Sequence, residues 1–121
     1  MTEATQVRHE VLQVGPLQIF PDEHLARAQG RALMLSVREL RLLTELARRA
    51  DRIVAREELF LLVWGREMRS RDRSVDVYVR KLRVKLEAAL PDWRFIHTHF
   101  GLGYRMAAEN QHAQHLRFTP H

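Results

Sequence analysis
Three features of the sequence predict an α+β fold, with a four-stranded antiparallel sheet first, a three-helix core next and a β-hairpin last. Short, partly alternating apolar runs separated by glycine and proline fill residues 11–35. Residues 36–90 switch to apolar positions three and four apart, the helical period. Two further extended runs flank the glycines at 101 and 103. With 121 residues and 45% hydrophobic content, the chain has enough for one domain with a core and too little for two large ones.

Residues 1–10, MTEATQVRHE, are polar and patternless, and are expected to be a flexible lead-in or linker. The folded domain is expected over 11–107. VLQV from Val11 and the run of Leu17, Ile19 and Phe20 flank Gly15-Pro16 and read as two strands. His24 to Ala28 and Arg31 to Leu35 flank the Gln29-Gly30 turn and supply two more. Ser36 then opens a helix, because S-V-R-E sets a hydroxyl cap three residues before Glu39 in a capping box, with Leu35 and Leu40 placed for a hydrophobic staple. Leu40, Leu43, Leu46, Ala47 and Ala50 share its inner side, and it is expected to end near Asp51. Ile53-Val54 reads as a short extended link.

REELFLLVWG reads as a second helix stopped by Gly65, with Leu59, Leu62 and Val63 facing inward and Trp64 packing. Its Glu57 and Glu58 suit the positive end of a helix. A polar loop from Arg66 to Arg71 leads to a third helix, which Pro91-Asp92 breaks. FIHTH and YRMA flank Phe100-Gly101-Leu102-Gly103 as a hairpin. Residues 108–121 are polar and are expected to be disordered.

The third helix, DRSVDVYVRKLRVKL, carries the functional signal. At about 100° per residue, Val75, Val79, Leu82, Leu86 and Ala89 or Leu90 form one buried stripe, while Arg73, Val77, Arg80, Lys81 and Val84 gather opposite, with Ser74 at the edge. Cations on guanine edges or phosphates and valines on thymine methyls suit a helix in a major groove. A solvated basic face is the bland alternative on pattern alone. The formal net charge is +5, and the window from Arg66 to Lys85 carries all of it, with eight Arg or Lys against three acids. Such a localised cationic field favours a polyanion, DNA or RNA before a membrane surface. Asp76, alone among those cations, is expected to pair with a nearby arginine, since a carboxylate on phosphates would repel.

Other chemistries find little support. The absence of cysteine excludes disulfides and thiolate metal sites and weakly favours a cytoplasmic location. No apolar run approaches the ~20 residues of a membrane span. His97 with His99, and His112 with His115, have chelating spacings but no carboxylate cluster, so no metal and no cofactor are expected. No serine sits beside a recognisable base and orienting acid, so no enzyme is expected. Tyr78 and Trp93 favour packing over base stacking.

The pieces VGPLQIFPD, LSVRELRLLTELAR, IVAREELFLLVWG, DRSVDVYVRKLRVKLE and FIHTHFGLGYRM, in this order and spacing across residues 11–106, resemble the winged-helix effector domains of OmpR/PhoB-type bacterial response regulators. Each piece alone is weak, but the set is specific. The resemblance implies a winged helix-turn-helix that binds double-stranded DNA as a transcription regulator, third helix in the major groove and hairpin wing at the minor groove. It implies base-edge positions at Val77, Tyr78, Arg80, Lys81 and Val84, phosphate contacts at Arg73, Ser74, Arg83 and Thr98, and a wing of His99, Phe100, Gly101, Gly103 and Arg105. It gives the loop with Arg66, Glu67, Arg69 and Arg71 a contact with RNA polymerase or a role in supporting the DNA contacts, and it implies head-to-tail dimers on direct-repeat half-sites. Helical geometry sets Arg83 nearer the buried stripe than Arg80, which favours backbone contact for Arg83.

Three departures from the family pattern stand out. Phe100, preceded by His99, replaces a common arginine before the first wing glycine, leaving His99 or Arg105 to supply a minor-groove cation. Ala55 replaces a hydroxyl cap before the second helix. No receiver domain precedes residue 11 in this sequence, so phosphorylation control is not expected to be encoded in it. The competing expectation is an interaction module that docks RNA polymerase or a receiver domain without reading DNA.

Overall fold
Residues with positive φ turn the first strands back on one another. In the computed structural model, which describes residues 9–111, Gly15 (φ 58°) joins β1 (Leu12–Val14) to β2 (Leu17–Phe20). A 3-10 turn at Pro21–Glu23, closed by His24 in the left-handed region, leads into β3 (Leu25–Ala28). Gln29 and Gly30 both have positive φ, as a two-residue hairpin turn of the right twist requires, and they lead into β4 (Arg31–Ala32). The four strands form an antiparallel sheet in sequential order. Leu17, Ile19, Ala26 and Ala28 occupy its buried face.

Helix α1 (Val37–Arg48) begins at the expected capping box. Ser36 Oγ accepts the Glu39 N–H at 3.1 Å, and Glu39 Oε1 accepts the Ser36 N–H at 2.7 Å. Glu39 is buried, yet its carboxylate is satisfied a second time by the Lys85 ammonium at 2.7 Å. Burial alone would raise its pKa, but Lys85 and the Ser36 N–H outweigh that and hold it below the usual carboxylate range. The inner side of α1 differs in part from the sequence expectation. Leu42 and Thr44 are buried and Ala50 is exposed, because α1 packs against both following helices and both sheets, and ends at Arg48.

The segment Ile53–Val54 is more than a link: as β5 it pairs with the second strand of the closing hairpin. Helix α2 (Arg56–Trp64) follows, stopped by Gly65 at φ 78°. Phe60, with Leu59 and Val63, is buried in place of Leu62, which is half-exposed. Ala55 stands at the N-cap in extended geometry (φ −65°, ψ 149°) and makes no side-chain cap bond. Since serine adopts that backbone readily, Ala55→Ser will stabilise the domain by about 0.5–1 kcal/mol, measurable as a higher urea midpoint.

Helix α3 (Ser74–Ala89) starts two residues later than the pattern predicts, because the Asp72 carboxylate takes the Ser74 N–H at 2.8 Å and so sits outside the helix as its start signal. Val75, Val79, Leu82 and Leu86 form the buried stripe as expected, completed by Leu90 while Ala89 is exposed. Strands β6 (Trp93–His99) and β7 (Gly103–Asn110) close the fold in a three-stranded sheet ordered β5-β7-β6.

Strand β7 extends beyond the expected boundary at 107, since Glu109 and Asn110 pair with Arg94 and Trp93. A Cβ on Gly15 would meet Ala108 at 2.7 Å, so the first sheet rests directly on this extension. At the other end, Glu10 of the expected lead-in is tied to Arg48. Residues 1–8 of the lead-in and 112–121 of the expected disordered tail lie outside the described residues.

Candidate nucleic-acid interface
The buried stripe of α3 dictates what its other side presents. With Val75, Val79, Leu82 and Leu86 inward, Arg73, Val77, Arg80, Lys81 and Val84 are exposed. Val77 and Val84, at 45% and 62% exposure, are apolar side chains left in solvent on a cationic face. Ser74 is half-buried at the helix start.

Two residues of α3 turn to structural work. Asp76 pairs with Arg56 Nε at 3.0 Å and also accepts the Tyr104 hydroxyl, so its charge is neutralised within the fold by the expected arginine pairing. Burial first, then the bond to Asp76, holds the Tyr104 phenol above its ordinary value. Arg83, expected at a phosphate, is half-buried and donates to the Ile96 carbonyl from Nε (3.1 Å) and Nη2 (2.7 Å) and to Thr98 Oγ1 (2.6 Å). Its guanidinium also lies 5.7 Å from the Tyr104 ring centroid. These bonds fasten α3 to β6 and leave Arg83 little to offer a phosphate. Burial lowers its pKa. Thr98 is itself exposed, and as an acceptor from Arg83 it keeps its own O–H to donate outward.

Tyr78, expected at base edges, is half-buried in an aromatic stack. Phe60 and Trp64 lie parallel at 4.7 Å, and Trp64 meets Tyr78 edge-on at 5.5 Å. Cations cover all three rings: Arg66 over Phe60, Arg38 over Trp64 and Lys81 over Tyr78, at 4.6–4.8 Å. The stack anchors the segment 65–73 that joins α2 to α3. Within it Arg66, Glu67, Arg69 and Arg71 are exposed, and Arg71 has φ 67°.

At the hairpin tip, the His99 carbonyl accepts the Leu102 N–H at 2.8 Å, with Gly101 at φ 78° completing the turn. Arg105 Nε donates to His99 Nε2 at 3.1 Å, which brings the two candidate wing cations together. Gly103, at φ 148°, lies so close to β5 that a Cβ would stand 2.1 Å from the Val54 carbonyl oxygen. His97 meets the Ala107 carbonyl at 2.9 Å. Among the described residues no group of three His, Asp or Glu could hold a metal, and no helix is long and apolar enough to cross a membrane. The His112 and His115 pair lies outside them.

Sequence reasoning located the exposed face of α3, the loop and the wing. It missed the clamps Arg56, Lys85, Tyr104 and Arg38, whose partners are far away in sequence. Arg83 carried a signal in its position beside the buried stripe, and Asp76, alone among cations, called for an arginine partner without saying that it would be Arg56.

Two helices joined by a short loop, with a β-hairpin clamped to the second of them, define a winged helix-turn-helix domain. The chain belongs to the family described as "Transcriptional regulatory protein, C terminal", whose model matches residues 30–106. It is 32% identical over 102 residues to the sensory transduction protein RegX3 of Mycobacterium leprae (strain TN), covering 84% of this chain and 52% of the relative. It is 35% identical over 98 residues to the phosphate regulon transcriptional regulatory protein PhoB of Escherichia coli (strain K12), covering 81% and 42%. The chain thus spans about half or less of the length of these curated relatives. Among solved structures it resembles the Klebsiella pneumoniae RstA DNA-binding domain in complex with RstA box, with TM-score 0.73, 32% identity, and coverage of 82% of this chain and 98% of that one.

Proposed function
We propose that this domain binds double-stranded DNA sequence-specifically as the output module of a bacterial two-component transcription regulator, with α3 in the major groove and the β6–β7 wing at the adjacent minor groove. The observation that carries this is the segregation on α3: Arg80, Lys81, Val77 and Val84 face outward while Asp76 and Arg83 are committed to the fold. Similarity to the RstA domain, solved with its DNA box, supports it, and gives no support to an interaction module without DNA readout.

In this reading Arg80 and Lys81 are the base-edge readers and the valines meet thymine methyls. Arg73, Ser74 and Thr98 hold phosphates, and Arg83 and Tyr78 position the helix. The exposed loop 66–71 is the surface for RNA polymerase, and the domain binds direct-repeat half-sites head to tail in the cytoplasm. Selection of bound duplexes from a random pool tests the reading directly. On the selected duplex the slope of log affinity against log salt will be about −0.9 per phosphate neutralised, so three such contacts give roughly a 40-fold loss for a fourfold rise in salt. A flat salt response sinks the proposal.

A further inference from the structure
Phe100 is the most exposed of the large apolar residues among those described, at 92%, and Leu102 two positions on is 63% exposed. Leaving such side chains in water forgoes the free energy of burying them, and here both stand at the tip of the hairpin that flanks the cationic helix. We propose that this tip is an apolar wedge: Phe100, backed by Leu102, enters the minor groove at a deformable base step and partly unstacks it. The wedge rests on the DNA-binding reading above and adds to it a means of specificity. In place of a cation that senses groove potential, the wing would read how easily a step opens.

The tip is built to be driven between bases. A wedge must hold its shape while it separates a stacked pair, and the Phe100 turn is braced at every level. The His99–Leu102 hydrogen bond closes it, and the His99↔Gly103 pair continues into the β6–β7 ladder. Gly103 is held against the Val54 carbonyl, and Arg83 and Tyr104 bind the base of the hairpin to α3. Little backbone freedom remains to be lost on insertion.

The surroundings select the occupant. Phe100 and Leu102 line an open cleft of about 240 Å³ with Arg56, Asp76 and Tyr104. The tip therefore stands beside the N-terminal half of α3, where a duplex seated on that helix presents its next groove. Thr98 and Arg105 flank the tip with a free hydroxyl proton and a guanidinium, donors suited to the phosphates on either side of an opened step. Pyrimidine–purine steps open most easily, so one is expected opposite the wing.

The test uses the full chain and a duplex selected by it, with 2-aminopurine substituted at successive positions, since this base brightens when unstacked. Fluorescence will rise at one step outside the segment covered by α3. Phe100→Ala will abolish the rise and weaken binding about tenfold, with an unchanged thermal unfolding profile because the side chain is exposed. Phe100→Leu will keep part of the rise. Phe100→Arg will regain affinity with a steeper salt dependence and no rise. Wild-type binding without a rise at any position, a rise retained in Phe100→Ala, or equal affinity of the two proteins overturns the wedge and leaves the DNA-binding reading standing. Failure of the wild type to bind any duplex overturns both.

Discussion

Arg80→Ala will flatten sequence preference, whereas Arg73→Ala will weaken binding to all duplexes alike. Both side chains are exposed cations on α3, and their positions make the difference. Arg80 lies in the middle of the helix, between Val77 and Val84 on the exposed side, where a guanidinium can make two bonds to one guanine edge. Losing such a pair costs about 1–3 kcal/mol, or about 5- to 150-fold, at the selected base and little on random DNA. Arg73 stands at the N-cap, where the N-terminal amides of α3 also favour an anion, so its loss removes a phosphate contact that every sequence supplies. Competition binding on selected and scrambled duplexes, with salt titration, separates the two: Arg73→Ala will reduce the salt slope by about one unit and spare the selectivity ratio. Equal losses on both duplexes for both variants contradict this division of labour.

The exposed face of α3 was legible in the sequence because it follows from one-dimensional periodicity. Once Val75, Val79, Leu82 and Leu86 take the core, the exposed positions of α3 are fixed. The Ser36–Glu39 box was legible for a similar reason, since both partners lie within one helical turn. What could not be read were contacts closed by tertiary structure. Tyr104 reaches Asp76 across 28 positions and Lys85 reaches Glu39 across 46, so no local pattern links them. Arg83 shows the cost of reading a cation by type. As a sequence symbol it matched Arg80, but its position beside the buried stripe brought it within reach of Ile96 and Thr98. Ile53-Val54 was too short to identify as a strand without its partner Tyr104-Arg105.

Gly103→Ala will damage the wing far more than Gly101→Ala, although both glycines have positive φ and lie two residues apart. At Gly101 a Cβ meets nothing within 4 Å, so alanine there costs only backbone strain, about 1 kcal/mol. At Gly103 the Cβ would stand 2.1 Å from the Val54 carbonyl oxygen and 2.9 Å from the Ala55 Cα. Both are backbone atoms that no rotamer change can move aside. Relief requires β5 to separate from β7, which breaks the Val54↔Tyr104 pairing and displaces the Tyr104 hydroxyl from Asp76. Strain of about 1–3 kcal/mol and overpacking of about 1–3 kcal/mol together predict a loss of about 3–5 kcal/mol. For a domain whose total stability is of order 5–15 kcal/mol, that is a fall in melting temperature of roughly 15 °C or more. Urea and thermal unfolding of the two variants side by side measure it. Where Gly103→Ala remains folded, its DNA affinity will also fall, because Asp76 loses its hydroxyl partner and its charge is less masked beneath the cationic face of α3. Matching unfolding midpoints for Gly101→Ala and Gly103→Ala are incompatible with the close approach of β5 that this wing is built on.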